Sequence, residues 1–148
     1  MNSLYALVLS LNALWFGAAF RYFSLAPHTA AKVLVPKSAR EAPLFRTVAA
    51  SLPFLGGMNL AFAVLAVLLL FNMALFPEPG QRAMLVLIFG LAHGSQFACN
   101  VPIALRGGRQ GESFWPVLQG PMLFIFVVDG TLALANLLLA GWLGLAAV

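Results

Sequence analysis

The sequence predicts an all-α integral membrane protein: a four-transmembrane-helix antiparallel bundle, with both termini on the non-cytoplasmic side. Three observations carry that expectation. Charged residues make up only 8% of the chain and hydrophobic ones 62%, whereas a soluble domain needs about 25% charged residues to cover its surface. The apolar residues gather into four stretches, each near the ~20 residues that cross a bilayer. Basic residues are distributed on one side of those stretches, as the positive-inside rule requires.

The spans are expected at about 3–20, 47–76, 83–105 and 117–145, and together with short connections they use nearly all of 1–148. That makes a single transmembrane domain. The first, within "MNSLYALVLSLNALWFGAAF", has no positive charge before its apolar core, so it reads as a retained span rather than a cleaved signal peptide. The second is expected to start its helix near Pro53, because proline suits a first helical turn. "PEPGQR" at 77–82 supplies two prolines and a glycine as helix breakers, and reads as a tight turn into the third span. Near the far end of that span Pro102 frees the carbonyl of Ala98, which predicts a kink.

Two loops, 21–46 and 106–116, then fall on the same side. They hold Arg21, Lys32, Lys37, Arg40, Arg46, Arg106 and Arg109, seven of the eight basic residues, and only Arg82 lies opposite. The loops are therefore expected in the cytoplasm, next to anionic headgroups, and the protein in a bacterial inner membrane. The longer loop mixes Val33, Leu34 and Val35 with lysines and three prolines. It reads either as a short helix in the headgroup layer with snorkelling lysines, or as a lid or docking surface.

Several function classes are excluded on residue types. The basic residues form no aromatic-interleaved groove, so no nucleic acid is expected as a partner. One cysteine, Cys99, allows neither a disulfide framework nor a CxxC site, and one histidine in the spans falls short of a zinc set. No phosphate loop or dinucleotide fingerprint is present. Ser95 lies on the opposite side of its helix from His93 and Asn100, which argues against a Ser–His–Asp triad.

Polar residues inside the spans hold the remaining information: Asn12, Asn59, His93, Gln96, Asn100, Asp129 and Asn136. At about 100° per residue, His93, Gln96 and Asn100 share one helical face, as do Asp129 and Asn136. Gly56, Asn59, Ala63 and Ala66 form a stripe of small residues, and Tyr5, Asn12 and Ala19 recur every seven. Asn59, His93 and Asp129 each lie thirteen residues from a cytoplasmic flank, Arg46, Arg106 and Pro116 respectively. At about 1.5 Å per residue all three reach a height of about 20 Å, near the bilayer centre. An ionised aspartate facing lipid there costs about 2.5–3.5 kcal/mol or more, so it needs a partner, water or a proton. His93 is the only other ionisable group in the spans.

The expected site is thus a His93–Asp129 proton donor/acceptor pair, with Asn12, Asn59, Gln96, Asn100 and Asn136 as ligand-binding or network residues. The alternative for the asparagines is interhelical glue, and for Gly90 and Gly94, a GxxxG pair, close helix contact. Three functions fit. One is binding of an apolar ligand or lipid-like substrate, with isomerase-type proton shifts or, as a variant, haem ligated by His93. The second is a scaffold or accessory subunit of a membrane complex. The third is proton-coupled transport as a homo-oligomer. The four-span plan is similar in outline to several small membrane families, including membrane isomerases and scaffold proteins of lipid biosynthesis. "AHGSQFACN" and "FLGGMN" supply no signature for any of them.

Overall fold

The computed structural model describes residues 2–107 and 115–147; Arg109 and Glu112 of the second basic loop lie outside them. Among the described residues the structure is all-helical, without strands. Helix α1 (Asn2–Phe20) runs on into a π-helical turn (Arg21–Leu25), followed by the short α2 (Pro27–Leu34), then α3 (Pro43–Phe71), α4 (Pro79–Leu105) and α5 (Gly120–Leu145). Four of these segments, 2–25, α3, α4 and α5, are long and apolar enough to cross a membrane.

Proline sets most of the helix starts. Pro27, Pro43 and Pro79 each occupy a first helical position, where the missing N–H costs no hydrogen bond and φ is already set. This corrects two expected boundaries. The second long helix begins at Pro43 rather than Pro53, which lies inside α3 on its exposed face. Likewise α4 begins at Pro79, so Arg82 is helical and not part of the preceding turn. At the other end α4 runs through Pro102 and stops where Gly107 takes a φ of 70°, a left-handed geometry that suits glycine after a helix end.

The closest backbone approaches are within two helix pairs, α1 with α3 and α4 with α5. Small residues make both approaches possible. The α3 stripe of Gly56, Asn59, Ala63 and Ala66 is buried, and a Cβ on Gly56 would lie 2.8 Å from the Ser24 backbone nitrogen. Glycine there lets the π-helical turn lie directly on α3. In the other pair a Cβ on Gly90 would meet the Leu137 side chain at 2.9 Å, and one on Gly94 would meet Ala133 at 3.9 Å. The GxxxG pair therefore makes close helix contact with α5, as its spacing suggests.

One large apolar cluster joins the start of α1 (Tyr5, Val8, Leu9), the end of α3 (Ala66, Leu69), the start of α4 (Val86, Phe89) and the end of α5 (Leu139, Leu143). A separate small cluster joins α2 (Ala30, Ala31) to the start of α3 (Ala49, Leu52), flanked by Tyr22 and Phe23 of the π-helical turn. The outer faces are apolar too, with Leu14, Phe54, Leu91 and Leu138 between 61% and 81% exposed. In hydrocarbon such faces are solvated as they stand, so association of the helices rests on close packing and interhelical hydrogen bonds rather than on exclusion of water.

Arg82 closes the first end of the bundle. Its guanidinium donates to the Phe76 carbonyl at 2.6 Å, the Met73 carbonyl at 3.2 Å and Asn2 Oδ1 at 2.7 Å, and lies 5.3 Å from the centroid of the Tyr5 ring. One planar fork thus ties the start of α1 to the turn after α3.

Candidate functional site

Between the two helix pairs lies a seam of polar side chains. Asn12 of α1 is fully buried, and its Nδ2 donates to the Val8 carbonyl at 2.8 Å and to Asn136 Oδ1 at 3.0 Å. Asn136 of α5 returns a bond from its Nδ2 to Asn12 Oδ1 at 3.2 Å and donates to the Leu132 carbonyl at 2.8 Å. His93 of α4 lies 3.0 Å from Asn12 Oδ1 through Nε2 and 2.9 Å from Asp129 Oδ1 through Nδ1. Trp15 Nε1, one turn along α1, donates to the same Asp129 Oδ1 at 2.9 Å. Phe16 covers the His93 ring, with centroids 4.4 Å apart and planes 22° from parallel.

These contacts determine where the protons are. A carbonyl only accepts, so the Val8 oxygen fixes the Asn12 amide with Nδ2 toward it and Oδ1 toward His93. His93 must then donate from Nε2. One further proton is shared between Nδ1 and Asp129 Oδ1, since otherwise two lone pairs would face each other at 2.9 Å. Whether that proton is written on the imidazole or on the carboxyl, the pair as a whole carries no net charge. This is how an aspartate resides in an apolar span without an uncompensated charge.

The expected site residues divide into three groups. His93, Asp129, Asn12 and Asn136 come together, at hydrogen-bonding distance, in one buried network. Gln96 and Asn100 stand beside it. Asn100 is occupied by the Gln96 carbonyl and by Trp115 Nε1, which donates to its Oδ1 at 2.7 Å. Asn59 does not join: its side chain donates to the Leu55 carbonyl of its own helix at 2.7 Å. Equal height along the bilayer normal says nothing about which way a helix is turned. The small stripe that carries Asn59 is turned toward α1 and the π-helical turn, while α3 reaches α4 through Phe62 and Phe89, 6.0 Å apart.

Two cavities border the seam, of about 270 and 380 Å³, within or close to the usual range of small-molecule sites. They share Tyr22, Phe23, Gln96, Ile125 and Asp129 as walls. The smaller is roofed by Ala30, Val33 and Leu34 of α2 and extends to Asn100 and Trp115. The basic 21–46 loop therefore does not lie apart from the bundle: α2 covers the cavity with its apolar side and turns Lys32 outward. The larger cavity lies between α1 and α5, against Trp15, Ala18, Pro121 and Phe124. Ala18, Pro121 and Phe124 are themselves exposed on the outer surface, so this cavity has its mouth on the lateral face of the bundle.

Asp129 is the member of the network that reaches both cavities. Its Oδ1 holds His93 and Trp15, and its Oδ2 has no hydrogen-bond partner among the described residues. Asn12, His93 and Asn136 border neither cavity. Haem ligation by His93 does not fit this arrangement, because both ring nitrogens are committed to protein partners and the ring is fully buried beneath Phe16. Ser95 donates to the Ala92 carbonyl and takes no part in the His93–Asp129 pair. Sequence reasoning missed Trp15, Phe16, Tyr22, Phe23 and Trp115. The signal for Trp15 and Phe16 was available in principle, since they lie one turn beyond Asn12, but an aromatic residue in an apolar span has no distinguishing pattern.

Four helices of membrane-spanning length and a buried His93–Asp129 pair are consistent with a membrane protein that has an internal polar site. No protein-family model, curated protein or solved structure matches the chain.

Proposed function

We propose that this protein is a four-span, antiparallel membrane bundle that takes an apolar ligand from the bilayer into the cavities beside Asp129. The antiparallel order is supported by the large apolar cluster, which unites the beginnings of α1 and α4 with the ends of α3 and α5. The positive-inside rule places the cavities and α2 in the cytoplasmic half and both termini outside. The observation that carries the functional reading is the free oxygen of Asp129. A carboxyl held on one side by His93 and Trp15 presents its other oxygen to an aromatic-walled space open to the lateral face.

The same arrangement supports acid–base chemistry on a ligand. Asp129 can take a proton from a bound molecule at Oδ2 and return it at a second position, a shift that balances without any cofactor. His93, through its hydrogen bond to Oδ1, would hold the charge that appears during the exchange. Network rigidity also serves packing, so Asn12 and Asn136 act as positioning residues and not as ligand contacts.

The test is to purify the protein in mild detergent and identify co-purified small molecules by mass spectrometry. Ala19→Phe would fill the larger cavity without touching the hydrogen-bonded network. A stoichiometric apolar molecule is expected with the unmodified chain and should be lost from Ala19→Phe. If the two proteins carry the same unselective detergent and phospholipid background, the ligand-binding reading fails and a packing role for the network is favoured.

A further inference from the structure

We infer that the occupant of this site is a neutral, water-insoluble alcohol, whose hydroxyl donates to Asp129 Oδ2; this rests on the ligand-binding reading above and names its ligand class. Oδ2 lacks a partner within the described protein, and Asp129 is only 1% exposed. Oδ2 is not one of the fully enclosed polar atoms: it keeps a trace of accessible surface where Asp129 lines the cavities, so an occupant that supplies a donor there is favoured over one that does not. Both ways of writing the shared proton leave Oδ2 an acceptor. The ligand group that meets it must therefore be a donor.

Charge narrows the class further. The His93–Asp129 pair is neutral as a unit, so an ammonium head would introduce an uncompensated positive charge into an apolar space. A carboxylate or phosphate head would set its own lone pairs against Oδ2. A hydroxyl avoids both difficulties. It also has an oxygen that can accept, and Gln96 is available to supply that second bond: it lines both cavities beside Asp129, and its side-chain amide makes no hydrogen bond among the described residues. The remaining shared walls, Tyr22, Phe23 and Ile125, offer mainly ring and aliphatic surface. One polar corner in an apolar chamber matches a molecule with one polar head.

The experiment uses Trp15 and Trp115, which line the cavities, as fluorescent reporters after Trp142→Phe has removed the third indole. Three quenchers with the same chain, each with its bromine beside the head group, are compared in detergent solution: 2-bromododecan-1-ol, its methyl ether and 2-bromododecanoate. A companion protein carrying Trp15→Phe and Trp115→Phe reports, through Trp142 on the outer face, how much of each probe merely enters the micelle. After that correction the alcohol should quench at about tenfold lower concentration than the ether, the worth of one hydrogen bond to a charged or proton-sharing group, and the anion least effectively. Asp129→Leu should erase the preference of alcohol over ether; where that variant does not fold, the probe series on the unmodified aspartate decides by itself. Saturable quenching with no preference between alcohol and ether overturns the hydroxyl assignment while leaving an apolar site in place. Quenching that never saturates, or that matches Trp142 for all three probes, overturns the site itself.

Discussion

Replacing Asp129 by asparagine changes no shape but makes the network impossible to satisfy. In the unmodified protein Asp129 Oδ1 accepts from Trp15 and shares a proton with His93 Nδ1. The Val8 carbonyl and Asn12 hold the His93 proton on Nε2, so Nδ1 of the neutral ring is an acceptor. An asparagine can turn its amide nitrogen to Nδ1, but then the Trp15 N–H faces another donor. It can turn its oxygen to Trp15 instead, but then oxygen faces the Nδ1 lone pair. Moving the ring proton to Nδ1 breaks the bond to Asn12. Every assignment leaves one buried polar group unsatisfied, at a cost of about 1–3 kcal/mol. The conflict has a specific remedy, because Trp15→Phe removes the competing donor. Asp129→Asn should thus destabilise the protein by about 1–3 kcal/mol alone and by clearly less in the Trp15→Phe background. Reversible unfolding of the four proteins in mixed detergent micelles gives the coupling energy of the cycle. Additivity to within about 0.5 kcal/mol would refute the assigned proton positions, as would an Asp129→Asn protein as stable as the original.

Other outcomes follow from the same geometry. His93→Ala removes partners from both Asp129 and Asn12 and should cost about 3–5 kcal/mol, measured in the same unfolding assay. Gly130→Ala would bring a Cβ to 2.7 Å from the Phe97 ring, which is stacked on Phe126 with centroids 4.5 Å apart and would have to shift together with it. A loss of about 1–3 kcal/mol is expected for that overpacking, and a neutral effect would mean that the ring moves freely. Arg82→Lys should cost about 1–2 kcal/mol, because an ammonium group cannot reproduce a fork that serves two carbonyls and Asn2 at once. For orientation, cysteines placed at Ser38 and at Gln81 in a Cys99→Ala background can be probed with a membrane-impermeant maleimide on intact cells. Labelling at 81 and not at 38 is expected, and the reverse pattern would invert the proposed topology.

How much of this was legible beforehand follows from the physics of each feature. The four long helices were, because a bilayer demands long apolar segments and nothing else in the chain competes with that signal. The pairing of His93 with Asp129 was as well, since two ionisable groups among so many apolar ones have few other partners. Asn59 shows where the reasoning ran out. Its expected height equalled that of His93 and Asp129, but the turning of α3 about its own axis depends on Gly56 accepting the π-helical turn, a contact between segments more than thirty residues apart. The start of α3 was misplaced because Pro43 and Pro53 both suit a first turn, and only packing of the added residues against α2 distinguishes them. Trp15 was hidden for another reason: an indole N–H has value as a donor only once the acceptor opposite is known.

If the protein takes up a ligand as proposed, the lateral mouth of the larger cavity has a consequence for selectivity. A molecule that enters there between α1 and α5 leaves one hydrocarbon environment for another, so its chain gains little from the hydrophobic effect on binding. Occupancy is then governed by mole fraction in the leaflet rather than by concentration in water. Chain length would then set how much ligand the membrane holds, while the single polar corner at Asp129 and Gln96 would decide which of the dissolved molecules remains.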